Sequence, residues 1–571
     1  MNKNIKIALV AINAKYIHSS LAAYSLYAYL SKDEKKHVQI MEFTVNQSEE
    51  FIASELLRVK PDVLAFSCYI WNIDMVMSLV DTFKKVQPDM PIIAGGPEVS
   101  YEDSELPGVD IIVRGEGEEA FKRLVQTLCH CTPSPRHCER SEAIHHPTSS
   151  ATDALLRQVK AFLAMTGSEQ CRHSFDGGLD TIPFPYTTDF TDLQNRIIYY
   201  ETSRGCVNRC GYCLSGSTTG IRFLSWERIR QDLDKFLSAK VKQVKFVDRT
   251  FNCTPQHATA IWQYLIQNDN GTTNFHFEIA GDLLTPDMMQ LLKAARKGLF
   301  QFEIGVQSTN PQTLEAIRRK TNTIKIFENV NAIKKSDNIH LHLDLIVGLP
   351  YENYESFRQS FNDVFACRPH KLQIGFLKLL RGSRLRADAD KYGIMYKNNA
   401  PYGVLQTNDI SFEQINHLKK IEHMVETFYS AGGFGHAIEF MIQQFKTPFE
   451  FFDKLAIFWE ENGYHLVSHK KMAMYSFLYK FGAEYLPDRI RLICELLKFN
   501  MLLQENIRTF PDWIENYYSY DNRLITRTAA VHTFDSDVCK WIGIPPQPRD
   551  ITLNFDYSLP VDRGRWSCFF A

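Results

Sequence analysis

Two stretches of the chain alternate short apolar runs with amphipathic segments. In the first, apolar runs of strand length fall at 5–12, 38–45, 63–70, 91–96 and 110–115, and helical periodicity fills the gaps at 21–31, 49–59, 74–86 and 118–128. Apolar runs separated by amphipathic helices mark strands covered on both faces, so a doubly wound parallel sheet is predicted over 1–128. Ligands bind such sheets beyond the C-terminal strand ends, here the loops 13–20, 68–72, 95–100 and 115–119. The alternation resumes at residue 196, with strands predicted at 196–201, 241–247, 275–280, 300–306, 340–347 and 372–379 and helices between them, such as 226–239 and 311–319. Six β–α repeats predict a partial or complete parallel barrel over 191–385, with its site at the C-terminal strand ends. From 386 to 571 the pattern is mainly helical and aromatic, as at 412–429 and 448–461, with a mixed tail from 522 and a strand at 551–557.

Residues 129–190 interrupt the alternation. Residues 129–150 hold three Cys, four His and three Pro, and read as an irregular insertion. A zinc site on Cys129, Cys131, Cys138 and His145 is the competing reading, but the CxC…C spacing matches no ligand pattern. Residues 151–190 read as a helix followed by a linker with Pro183 and Pro185. The opening run, although apolar, is short and followed at once by Lys15, Tyr16 and His18, so it reads as a buried first strand and not a signal peptide.

Composition narrows the classes. With 571 residues, 44% hydrophobic and 23% charged, the chain is globular and long enough for three to four domains at roughly 150 residues each. Its net charge of −2 offers nucleic acid or an acidic membrane no overall attraction, and no apolar run approaches the roughly 20 residues that span a bilayer. Thirteen cysteines are too sparse for a disulfide scaffold. A reducing cytoplasm is expected, where a tight Cys cluster is metal-binding or catalytic.

That cluster is Thr202-Ser-Arg-Gly-Cys206-Val-Asn-Arg-Cys210-Gly-Tyr-Cys213, directly after the first barrel strand. Three thiolates within eight residues can wrap one face of a metal cluster. A [4Fe–4S] cubane takes four ligands, so three protein thiolates leave one iron open to a small molecule. A structural zinc with a fourth ligand from elsewhere is the competing reading.

With Tyr212 between the second and third thiols, the motif resembles CxxxCx(aromatic)C of the radical S-adenosylmethionine (SAM) superfamily. The resemblance implies that SAM binds the open iron and is cleaved reductively to a 5′-deoxyadenosyl radical, with electrons from a donor such as flavodoxin or ferredoxin. It also implies SAM-facing positions at Asp248 in Val-Asp-Arg-Thr, at Glu278, and at Glu303 and Gln307 in Glu-Ile-Gly-Val-Gln. Arg319 and Asp344 (in Asp-Leu-Ile-Val-Gly-Leu-Pro) complete the set. Glu278, Gln307, Arg319 and Asp344 resemble the set of the coproporphyrinogen-dehydrogenase branch. Asp248 stands where many members carry Gly-Gly-Glu.

The first domain resembles the cobalamin-binding fold that precedes the radical domain in one large subfamily. The matching pieces are Ala11-Ile-Asn13-Ala-Lys-Tyr-Ile-His18, Gly95-Gly96-Pro-Glu98 and Arg114-Gly115-Glu-Gly117-Glu-Glu. The resemblance implies corrinoid contacts from Asn13, Gly95, Gly96, Glu98, Gly115 and Gly117. The tripartite Asp-x-His-x-x-Gly motif is missing, so no histidine is expected on cobalt. The helical remainder resembles the C-terminal domain of unknown function of the same subfamily.

These readings converge on a cytoplasmic enzyme of anaerobic metabolism acting on a small-molecule substrate at an unactivated carbon, by methylation, cyclisation or rearrangement. Three alternatives stand beside it. One is a radical SAM enzyme whose first domain is only a scaffold. Another is a transfer-RNA methylthiotransferase, which would need a second Cys-rich cluster that Cys68, Cys129, Cys131 and Cys138 do not supply. The third is a non-enzymatic iron–sulfur or corrinoid sensor.

Overall fold

The computed structural model describes residues 5–101, 106–130, 170–173, 178–186, 190–217, 220–507, 509–515, 529–548, 550–558 and 567–570. The run Ile7–Asn13 forms β1, buried at every position. It is joined by β2 (Val38–Thr44), β3 (Val63–Ser67), β4 (Ile92–Gly95), β5 (Ile111–Gly115) and β6 (Gln170–His173) in a parallel sheet of order β2-β1-β3-β4-β5-β6. Alternate residues of β1 enter separate cores on the two faces: Ile7, Leu9 and Ala11 pack with Phe121 and Leu124, while Ala8, Val10 and Ile12 pack with Ile52 and Leu79. This is the doubly wound arrangement, with its switch point between β1 and β3. The loops after β1 and β3 therefore flank the ligand-binding crevice.

β6 falls inside the stretch read as insertion and linker. Its four residues, Gln-Cys-Arg-His, carry no apolar alternation, so only pairing with β5 identifies it as a strand. Of the alternative zinc set, Cys129 lies in the helix Glu118–His130, and Cys131, Cys138 and His145 lie outside the described residues. So does the helix expected after residue 150, up to residue 169.

The second sheet comprises β7 (Ile198–Tyr200), β10 (Gln243–Phe246), β11 (Asn274–Ile279), β12 (Phe300–Gln307), β13 (His340–Val347) and β14 (Lys371–Phe376), while β8 (Ser203–Arg204) and β9 (Arg222–Phe223) pair separately as a two-stranded ribbon after β7. Its order β14-β13-β12-β11-β10-β7 is parallel throughout, a six-stranded partial barrel. β12 and β13 alternate strictly. Phe300, Phe302, Ile304, Val306 and Leu341, Leu343, Leu345, Val347 are buried in the outer core, while Gln301, Glu303, Gln307 and His342, Asp344 point to the concave side.

Both open edges of the partial barrel are covered. At β7, Ile197 N–H donates to Ile17 O (2.7 Å) and Ser19 Oγ to Ile197 O (2.8 Å), so the loop after β1 seals that side. At β14, Ser430 Oγ accepts from Leu372 N–H (3.3 Å) and donates to Leu372 O (3.0 Å). Ser430 ends a π-helical turn that continues the helix Phe412–Met424. The remaining helices include Gly435–Ile442, Pro448–Glu461, Lys471–Tyr485 and Ile490–Leu502. They pack through buried Phe428, Phe452, Trp459, Phe477 and Phe481, so these aromatics are core. Strands Ala529–Phe534, Ile551–Asp556 and Ser567–Phe570 form an antiparallel sheet against them. Among the described residues, no helix is long and apolar enough to cross a membrane.

Candidate functional site

The cysteine loop is pinned at both ends. Asp248, buried just after β10, accepts from Thr202 N–H (3.0 Å), Thr202 Oγ1 (2.6 Å) and Ser203 Oγ (2.5 Å). Burial pushes its carboxyl up to about 6 despite these donors. Its carboxylate thus fastens the end of β7 to the end of β10. Gly205 follows at φ +113°, where an added Cβ would stand 2.3 Å from Gly220 O, so only glycine fits. Beyond it, Cys206 Sγ lies 3.5 Å from Thr250 Oγ1 and accepts from Asn208 N–H (3.4 Å). Gly211, between Cys210 and Cys213, donates to Ile317 O and accepts from Leu385 N–H, both at 2.8 Å.

Arg319 reaches the same loop from the far side. Its Nη1 lies 3.6 Å from Cys210 Sγ and 3.4 Å from the Tyr212 hydroxyl, and its Nη2 donates to Gly305 O. Burial raises the Cys210 thiol, and the guanidinium opposes that rise. Gln307 ends β12 at φ +73°, after a register shift between Gly305 and Gln307. Its side chain folds back over Gly305, where an added Cβ would meet Gln307 Nε2 at 2.1 Å. Gln307 Oε1, Arg319 Nε and Asp344 Oδ1 are all buried without a hydrogen-bond partner. Such orphans are rare in finished interiors and mark the polar atoms a ligand would satisfy. Burial, with Glu303 and Glu278 nearby, also pushes the Asp344 carboxyl well up, against the pull of Lys245 and Arg319.

Deeper in the concave face lies a polar layer that sequence reasoning found only in part. Lys245 Nζ lies 2.9 Å from Glu303 and 3.4 Å from Glu278. His276 Nε2 lies 3.0 Å from Glu303 Oε2, and Gln301 Nε2 lies 3.2 Å from both His276 Nδ1 and His342 Nε2. Lys245, His276, Gln301 and His342 were not singled out. The signal was present in the every-other-residue polar pattern of Phe-His-Phe-Glu, Phe-Gln-Phe-Glu and Leu-His-Leu-Asp.

The loops of the first sheet converge on this rim. Asn13 Nδ2 donates to Glu42 (3.0 Å), whose carboxylate also receives Arg196 from the start of β7 (2.7 Å). Gly96 sits at φ +115°, with Cys68 O only 2.5 Å from where a Cβ would stand. Glu98 is buried, accepts from the Tyr402 hydroxyl and lies 3.3 Å from Arg381 Nε, so the Gly95–Glu98 turn docks on the chain beyond the barrel. Gly115, at φ +81°, donates to Ser100 Oγ (3.2 Å). The acidic side chains around Gly117 reach Arg204: Glu116 at 3.1 Å and Glu118 at 2.8 Å, with Glu201 at 2.7 Å. Arg204 immediately precedes Gly205-Cys206. His18 Nδ1 lies 2.7 Å from the Tyr199 hydroxyl. Trp71 stacks on Tyr69 at 4.3 Å and stays 44% exposed beside this edge, a flat apolar surface for a planar ligand.

A sheet with its ligand-binding edge set against a partial barrel that carries a three-thiol loop defines a class of protein with two adjoining ligand sites. Family models match in the corresponding order: a B12 binding domain at 7–125, the radical SAM superfamily at 200–364 and a protein of unknown function (DUF4080) at 390–539. The chain thus carries a B12-binding domain, a radical SAM domain and a DUF4080 domain in that order. It is 27% identical over 337 residues to a 2-(S-pantetheinyl)-carbapenam-3-carboxylate methyltransferase of Streptantibioticus cattleyicolor, covering 54% of this chain and 46% of that one. It is 26% identical over 374 residues to the cobalamin-dependent radical SAM methyltransferase TokK of Streptomyces tokunonensis, covering 59% and 50%. The chain thus spans about half the length of these curated relatives. The solved structure of the cobalamin-dependent SAM radical enzyme OxsB with aqua-cobalamin bound shares the fold, with a TM-score of 0.56 and 15% identity over 90% of this chain and 83% of that one.

The radical SAM domain implies a [4Fe–4S] cluster and SAM, and the B12-binding domain implies cobalamin. The residues present fit them: three thiols on one loop, orphaned polar atoms beside them, and glycine turns with the exposed Trp71 at the sheet edge.

Proposed function

We propose that the chain is a cobalamin-dependent radical SAM enzyme that methylates an unactivated carbon of a small-molecule substrate. The observation that carries this reading is Arg204, which ties the Cys206 loop it precedes to Glu116 and Glu118 of the corrinoid-side loop. The two cofactor sites thereby share one wall. When bound, the cluster and SAM supply a carbon radical, and cobalamin carries the methyl group.

In this reading Cys206, Cys210 and Cys213 ligate the cluster. Tyr212, Glu278, Gln307, Arg319 and Asp344 face SAM. Asp248 acts one step back, holding the β7 end from which the cysteine loop springs. Asn13, Gly95, Gly96, Glu98, Gly115 and Gly117 shape the corrinoid edge, where glycine backbone lets a large ligand approach closely. The loop after β1 closes the barrel laterally and excludes water from the concave face. Reducing equivalents come from a donor of the flavodoxin or ferredoxin class, and the enzyme works in the cytoplasm. The names of the two methyltransferase relatives support methylation over cyclisation or rearrangement.

The test is the corrinoid-to-protein ratio of chain purified without oxygen from cobalamin-fed cells, with SAM cleavage assayed alongside. A ratio near one, with 5′-deoxyadenosine or methylated product lost in the Cys206→Ala, Cys210→Ala and Cys213→Ala variants, is expected. A ratio near zero with an intact iron–sulfur chromophore would make the first domain a scaffold. Cofactor binding without any SAM turnover would indicate a sensor.

A further inference from the structure

The concave face of the barrel holds a second set of metal-binding side chains, separate from the cysteine loop. His276 on β11, Glu303 on β12 and His342 on β13 each offer one ligand atom, and these atoms lie within 4.8 Å of one another. Strand register creates the set: Glu303 pairs directly with His342, and His276 pairs with Gln301 one step down the same face. His276 is buried, and its Nε2 lies 3.0 Å from Glu303 Oε2. Two donors each about 2.1 Å from a tetrahedral ion stand roughly 3.4 Å apart, so a small opening of this contact gives the spacing of neighbouring metal ligands.

The surroundings suit an ion. The Gln301 amide meets both rings at 3.2 Å. Turned by half a rotation, its oxygen accepts an N–H from each imidazole and fixes both rings, the outer support that ligating histidines ordinarily have. Lys245 sits between two carboxylates, reaching Glu303 Oε2 at 2.9 Å, the oxygen that His276 approaches, and Glu278 at 3.4 Å. When an ion takes Glu303, Lys245 keeps Glu278. Two imidazoles and one carboxylate leave coordination positions open, as in catalytic and not structural centres.

We infer that His276, Glu303 and His342 hold a divalent transition-metal ion of the zinc or ferrous class inside the barrel, with its open position available to an oxygen atom of the substrate. This centre goes beyond the cofactor reading and does not depend on cobalamin. It takes Glu303 out of the SAM-facing set and makes it a metal ligand.

Zinc is the probe, because neither the cluster nor cobalamin contains it. Chain carrying its iron–sulfur cluster is incubated with Zn²⁺ and freed of loose metal on a chelating resin. Zinc and iron are then counted in the same sample. The expected result is about one zinc per chain in addition to the cluster iron. His276→Gln and His342→Gln should each weaken zinc binding by more than about tenfold with iron per chain unchanged, which reports an intact fold. Lys245→Met should tighten zinc binding, since it removes the competing cation from Glu303. A merely structural polar layer would show no zinc in the parent chain and no opposite response to the lysine change. Absence of retained zinc in the parent, or zinc indifferent to both histidine variants, overturns the inference.

Discussion

Gln307 illustrates how much a single residue here depends on its neighbour. Its φ of +73° is a left-handed conformation that a side chain adopts only when the surroundings hold it, at a cost of about 1–3 kcal/mol. What holds it is the space above Gly305, into which the Gln307 amide folds beside the Arg319 guanidinium. Gly305→Ala would put a methyl group 2.1 Å from Gln307 Nε2 and 3.3 Å from Arg319 Nη2. The amide is the free end of a flexible side chain, so it swings away while the β12 pairing stays. Iron content should be unchanged and SAM affinity should fall about tenfold or more, the worth of a hydrogen bond to a charged ligand. An unchanged SAM affinity by equilibrium binding would remove Gln307 from the cofactor site. The spacing of the three cysteines was legible from sequence alone, because the chemistry is local to eight residues. The hydrogen bonds that Asp248 makes were not legible. Its partners, Thr202 and Ser203, lie more than forty residues back and meet it only through the β7–β10 pairing.

At the scale of elements, the loop after β12 is braced by one buried acid. Glu352 accepts from Ser308 Oγ (2.6 Å) and Ser360 Oγ (2.9 Å), joining the residue after Gln307 to the helix Tyr354–Ala366. Burial pushes its carboxyl up to about 7 against the pull of both serines. The folded chain therefore keeps this proton between about pH 4.5 and 7, where the unfolded chain has lost it. The stabilisation is complete below that window and disappears as pH rises through it. Glu352→Gln, which imitates the protonated acid, should match the parent near pH 4.5 and exceed it by roughly 2–3 kcal/mol at pH 8, read from denaturant midpoints. A difference that does not grow with pH would show that Glu352 ionises freely. The barrel strands were readable because each has an apolar outer face against helices and a polar inner face, the period of two that β12 and β13 display over eight residues each. β6 and the β8–β9 ribbon were not, since four and two residues are too short for any period to register. The run to Tyr429 was rightly helical, but its last turn widens to a π-helix where it meets the β14 edge, a change imposed by packing.

The molecule as a whole works through contacts that no local pattern announces. Glu98 and Tyr402 are 304 residues apart, and Arg204 and Glu118 are 86 apart. Arg204 reads in sequence as one more residue of the cysteine motif, yet in the fold it gathers Glu116, Glu118 and Glu201, with Arg222 supporting Glu116 from β9. Burial opposes its charge, but the carboxylates more than compensate. Arg204→Gln would leave three carboxylates converging on an uncharged amide, and breaking such a partly buried network costs roughly 3 kcal/mol. The damage should fall on the junction between sheet and barrel, because both interiors are packed independently of it. Methyl transfer should then drop while iron and corrinoid contents hold, since each site survives and only their shared wall is lost. Adding Glu118→Gln removes one of the repelling charges, so the double variant should be more stable than Arg204→Gln alone, a coupling that independent sites do not show. If the two changes merely add, or if Arg204→Gln empties the cluster site instead, the arginine serves the cysteine loop locally and the sheet and barrel are joined by the Glu42–Arg196 and Glu98–Tyr402 contacts without it.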